Sequence, residues 1–102
     1  MPRVIQSVLK EELANSRRMV RRYAEQLRRL GKGSLVLKHI RGHQYYYLAY
    51  REGARVRFRY LGKLSSPQHQ AWVARHRQRG QYRRQLREVK QQIIFLERSL
   101  RG

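Results

Sequence analysis

Apolar positions change their spacing twice along the chain. From Val4 to about Leu30 they follow helical spacing, and from Leu13 onward the pattern tightens. Leu13, Ser16, Val20, Tyr23, Leu27 and Leu30 alternate steps of three and four, which is a heptad seam with one polar entry. Gly31-Lys32-Gly33 follows, and glycine just past the last periodic residue is an expected helix stop. The spacing predicts a helix over 4–30.

Residues 34–62 switch to a period of two. Segments 34–40, 44–51 and 55–61 are rich in β-branched and aromatic side chains. Arg41-Gly42 and Glu52-Gly53 separate them, each suited to a tight turn with left-handed backbone. The prediction is a three-stranded antiparallel meander. Two-residue turns at these dipeptides set Tyr47 opposite Phe58, Tyr45 opposite Tyr60 and Ala49 opposite Val56. On the other face Tyr46, Leu48 and Tyr50 lie across from Arg59, Arg57 and Arg55. A turn one residue longer would exchange the faces.

Helical spacing returns after Ser65-Ser66-Pro67 and runs over 66–100. Ser66 is the expected cap, with Pro67 as the first helical residue. Tyr82, Leu86, Val89, Ile93, Leu96 and Leu100 form a second heptad seam. Extended backward, its phase takes in Trp72, an expected core anchor, but also Arg75 and Arg79. The apolar seam is therefore interrupted near Gly80, where the helix either kinks or continues while leaving the core. The whole predicts one α+β domain: long helix, meander, long helix, with the helices pairing antiparallel through their seams. An isolated three-stranded meander is barely stable, so a helix must also cover one sheet face.

Charge narrows what such a domain does. The 102 residues hold 25 Lys and Arg against 6 Glu and no Asp, for a net charge of +19. Arg accounts for 20 of the 25, and guanidinium groups bind phosphate bidentately and stack on bases. A polyanion is the expected partner. At 40% apolar residues the chain is too apolar for a basic tail. Absence of Cys removes disulfides, thiolate metal sites and thiol nucleophiles. No apolar run is long enough to span a membrane, and the first residues lack a signal-peptide core. A soluble, cytoplasmic chain is expected, nucleoid-associated if bacterial.

Catalysis and cofactors are not expected. Glu11, Glu12, Glu25, Glu88 and Glu97 lie on Arg-crowded helices and Glu52 in a turn, where a carboxylate pairs with Arg and has no pocket to shift its pKa. His39, His43, His69 and His76 have no metal-ligand spacing. No phosphate-loop or dinucleotide pattern occurs.

Three basic surfaces are the candidate site. Arg55, Arg57 and Arg59 alternate with Val56, Phe58 and Tyr60, forming a row of roughly 13–14 Å on one strand. No acid is expected opposite them, and a two- or three-stranded ribbon fits a DNA major groove. The row shares its face with Leu35, Leu37 and Leu48, so a helix covering that face would leave only the Arg end free. Arg17, Arg21 and Arg28 mark a basic face of the first helix. Arg75, Arg79, Arg83 and Arg87 mark one on the last. Among the tyrosines, Tyr45 and Tyr47 are expected to pack in cross-strand pairs, leaving Tyr46 and Tyr50 to contact nucleic acid.

The string Gly33-Ser34-Leu35, Gly42, Tyr45-Tyr46-Tyr47-Leu48-Ala49-Tyr50-Arg51-Glu52-Gly53, Val56 and Tyr60-Leu61-Gly62-Lys63 resembles a family of small uncharacterised bacterial and archaeal proteins. Its mark is a YYYLxYREG…YLGK hairpin before a charged helix. More loosely, the string is similar to the first hairpins of some insertion-sequence transposases and to the three-stranded arm-type DNA-binding domains of tyrosine recombinases. That resemblance implies sheet-face DNA contacts from Arg55, Arg57 and Arg59, and a mobile-element setting. It covers about residues 33–64; no recombinase or transposase catalytic region accompanies it. The expected function is non-enzymatic nucleic-acid binding, duplex DNA ahead of RNA. The rival is a coiled-coil interaction module whose heptad helices dimerise or dock a partner, with membrane attachment set aside because the seams are committed to helix pairing.

Overall fold

A computed structural model describes residues 1–102 as helix α1 (Arg3–Leu30), strands β1 (Ser34–Ile40), β2 (His43–Glu52) and β3 (Arg55–Gly62), and helix α2 (Ser66–Arg101). Two long helices thus flank a three-stranded antiparallel sheet of order β1-β2-β3, the α+β arrangement expected. No helix is long and apolar enough to cross a membrane.

Turn chemistry sets the sheet. Arg41 and Gly42 both adopt positive φ, 52° and 79°, the requirement of a two-residue type I′ hairpin. The second turn lies one residue later than expected. Glu52 stays in β2 opposite Arg55, leaving Gly53 (φ 62°) and Ala54 as the loop. Each cross-strand pair slides by two residues, so Tyr47 faces Tyr60 and Ala49 faces Phe58. Tyr50 faces Arg57, and Leu48 faces Arg59. A slide of two preserves which side chains share a face, because strand side chains alternate with period two. The pairing shifts again between Tyr46 and Tyr47, where Tyr46 faces Gly62 and Leu61 is the extra residue.

The cap of α2 also moves by one. Ser65, in place of Ser66, closes the helix: Gln68 N donates to Ser65 Oγ at 3.3 Å, and Ser65 N donates to Gln68 Oε1 at 2.8 Å. This reciprocal pair is a capping box, which needs Gln or Glu three residues after the Ser. Ser65 satisfies that spacing and Ser66 does not. From there α2 runs unbroken through Gly80.

The chain divides into two compact units, one of Met1–Arg29 with Gly80–Gly102 and one of Leu30–Arg79. In the first, the two helical segments touch in opposite sequence order. The Tyr23 and Tyr82 rings lie 6.0 Å apart, while Gln92 Nε2 donates to Ser16 Oγ at 2.9 Å and to Glu12 Oε1 at 3.1 Å. Arg17 meets Glu97 at 3.4 Å. Leu13, Val89 and Leu96 are buried, and Ser16 is 0% exposed. Ser16 is small enough to be enclosed, and its hydroxyl is satisfied by Gln92, as a buried polar group requires.

In the second unit the first turns of α2 cover one sheet face. Tyr46 and Leu48 are buried there, with the Tyr46 ring 5.5 Å from His69. Leu35 and Ser34 join His69, Trp72, Val73 and His76 around a cavity of about 260 Å³. Arg75 Nε donates to the Leu30 carbonyl and Arg79 Nη1 to the Gly33 carbonyl. The interrupted seam has its explanation in these bonds: Arg75 and Arg79 serve the 30–33 connector backbone.

Two glycines should respond oppositely to a methyl group. Gly33 has φ +113°, and an added Cβ would lie 2.7 Å from Leu48 Cδ1. Gly80 sits mid-helix with open space at that position. Gly80→Ala is expected to stabilise by roughly 0.5–1 kcal/mol, and Gly33→Ala to destabilise by more than that. Chemical denaturation of both variants measures the two signs.

Candidate nucleic-acid interface

Acids are scarcest in the second unit, where eleven Lys and Arg face a single acid, Glu52. Strand β3 alternates charged and apolar residues, so its backbone pleat sends Arg55, Arg57 and Arg59 to one side. All three are exposed. One acid does stand beside them: Glu52 pairs with Arg55 across the turn, and its Oε2 meets Arg57 Nε at 3.1 Å. The one-residue displacement of the turn put Glu52 into the strand and hence into the row. Both partners are over half exposed, and an exposed pair of this kind contributes little, so a phosphate can take Arg57 at small cost.

The other expected contacts separate into free and committed groups. Arg21, Arg83 and Arg87 are exposed on their helices. Arg17 and Arg28 are exposed while paired with Glu97 and Glu25. Arg75 and Arg79 are structural: Arg79 is buried and Arg75 lies 4.6 Å over the Trp72 ring, both donating to connector carbonyls. Tyr46, expected at the surface, is enclosed beneath α2, and Tyr50 is half-buried. Covering the Leu48 face accounts for both, since Tyr46, Leu48 and Tyr50 share one side of β2.

Tyr45 and Tyr47 therefore lie on the side that α2 does not cover. Tyr60 sits 6.2 Å from Tyr45 and 5.2 Å from Tyr47, centroid to centroid. They pair across strands, as expected, but the face they build is open: Val56, Phe58 and Tyr60 are all more than half exposed. Lys38 Nζ stands 4.8 Å over the Tyr47 ring and 5.4 Å over Phe58. The sequence signal for this face was Lys38 and Arg51 falling in phase with Tyr45 and Tyr47, while Leu35, Leu37 and Leu48 fall on the opposite side. On β1 and β2 the charged residues fall on the wet face and the leucines on the covered one. Strand β3 reverses this, with Arg55, Arg57 and Arg59 on the side of Leu48 and Val56 on the open side.

Histidine has no common site. His69 and His76 border the covered cavity and His43 lies 6.3 Å from Tyr45. No three metal-ligating side chains come together.

The chain belongs to the family described as Domain of unknown function (DUF6788), whose model matches residues 3–71. The match takes in α1, the whole sheet and the opening turns of α2. No curated protein and no solved structure matches the chain.

The division between free and committed arginines is measurable. Arg79→Ala should cost about 1.5–3 kcal/mol, the range for a hydrogen bond from a charged group. Arg83→Ala, an exposed substitution, should stay within about 0.5 kcal/mol of the parent. Urea denaturation midpoints with unchanged m-values test the difference.

Proposed function

We propose that this chain is a non-enzymatic nucleic-acid-binding protein that takes duplex DNA by neutralising its phosphates. The observation that carries the proposal is the exposed Arg55, Arg57 and Arg59 row in a unit with eleven bases and one acid. A solvated protein surface ordinarily mixes both signs; here the excess is one-sided and ordered along a strand. Arginine forks suit phosphate oxygens and guanine edges alike. The exposed Arg21, Arg83 and Arg87 extend the positive surface of the first unit, whose helices on this reading pair through their heptad seams. The likeness to arm-type domains belongs to the same proposal, since it assigns DNA contact to the same strand.

Salt dependence is the test. Each neutralised phosphate contributes about 0.9 to the slope of log K against log salt on duplex DNA. Replacing Arg55, Arg57 and Arg59 together by Ala should weaken binding across sequences and flatten the slope by about 3. Titration of labelled duplex at two or more salt concentrations reads both quantities, and competition with duplex RNA ranks the two polymers. No binding at low salt, or binding indifferent to salt, would overturn the proposal.

A further inference from the structure

We infer that the sheet face left open by α2 is a stacking platform for unpaired nucleotides, so that the molecule takes single-stranded nucleic acid on the side opposite its Arg row. The inference rests on the nucleic-acid reading above and adds a second ligand class to it. The open side of a half-covered antiparallel sheet is ordinarily polar. Here it presents Phe58 and Tyr60 at 55% and 56% exposure, and contiguous exposed apolar patches rimmed by polar residues mark interaction or ligand-binding sites. Tyr45, Tyr47 and Tyr60 line a cleft of about 640 Å³ with Arg41 and His43. That volume lies within the ~300–1,000 Å³ of small-ligand clefts, and aromatic rings make up most of its lining.

Charge identifies the occupant. Lys38 stands over the Tyr47 and Phe58 rings, and Lys63 lies 5.9 Å over Tyr45. No carboxylate shares this face, because Glu52, the unit's one acid, falls in phase with Tyr46 and Leu48 on the covered side. Lysine is depleted at the centre of protein–protein interfaces, so a lysine over each end of an aromatic cluster argues against a second protein. Rings flanked by mobile cations are what unpaired bases with their phosphates require. Bases stack on the rings and the ammonium groups turn to the backbone. Every base has a π-face, so the platform should tolerate any sequence.

The test compares a short oligothymidylate, an oligouridylate and an abasic deoxyribose-phosphate oligomer of equal length, with duplex DNA alongside, on the full chain. Stacking of one base contributes about a 5- to 150-fold gain in affinity. Both base-bearing oligomers should therefore bind at least ~5-fold more tightly than the abasic one, and their ratio ranks DNA against RNA as the source. Tyr60→Ala should erase most of that margin while duplex affinity holds, and Tyr60→Phe, which keeps the ring, should preserve it. Equal affinity for abasic and base-bearing oligomers, with duplex binding intact, would overturn this inference alone. So would self-association of the chain that Tyr60→Ala abolishes, since a second copy would then occupy the face. Failure of every oligomer and of duplex DNA at low salt would remove the parent proposal as well.

Discussion

A three-stranded sheet cannot stand alone in water; it must bury one face, and only one helix segment in its unit is available to bury it. The first turns of α2 meet that need over Tyr46 and Leu48. From this follow the features that matter for binding. The covered side takes the leucines, because Leu35 and Leu48 fill space against helix side chains with no polar atom to satisfy. The opposite side keeps its tyrosines and Lys38 in solvent. The same packing brings Gly33 to van der Waals limits with Leu48 and puts Arg79 within reach of the Gly33 carbonyl. Two arginines of a basic helix thereby become structural.

Arginine does two kinds of work in the molecule, and burial separates them. Where a backbone carbonyl lies nearby and water is scarce, as at Arg75 and Arg79, the guanidinium satisfies the connector. Where the strand edge stays open, as at Arg55, Arg57 and Arg59, it remains available to a polyanion. Six carboxylates against 25 Lys and Arg leave a net charge of +19, which repels itself within so short a chain. On the proposed function, a bound polyanion would relieve that repulsion and couple binding to stability through mass action. Three of the six acids sit beside arginines: Glu25 with Arg28 and Arg29, Glu52 with Arg57, Glu97 with Arg17.

Much of this was legible from the residues. The elements, their order and their ends to within one residue followed from helical and alternating periods, and the first hairpin turn followed from Arg41-Gly42. The second turn was misplaced by one residue because Glu52-Gly53 and Gly53-Ala54 both supply a glycine able to take positive φ. Only pairing of Glu52 with Arg55 distinguishes them. The cap was misplaced for a similar reason: two serines adjoin, and Gln68 selects between them. The site was legible in part. Arg55, Arg57 and Arg59 lie where alternation sends them and Tyr45 and Tyr47 pair across strands as expected, whereas Tyr46, expected at the surface, is buried. A repeat of three tyrosines carries no sign of which ring lies under a helix.

Sequence alone determined the quantities that are local or summed: the periods, the turn residues, the charge excess and which side chains share a strand face. Each depends on backbone alternation or composition, neither of which changes when the chain folds. Tertiary structure decided which of the two faces is covered and which arginines are withdrawn from the surface. Those outcomes depend on where α2 comes to rest, since burial and carbonyl capture belong to residues distant along the chain, Tyr46 with His69 and Gly33 with Arg79. The open aromatic face is what remains after that choice.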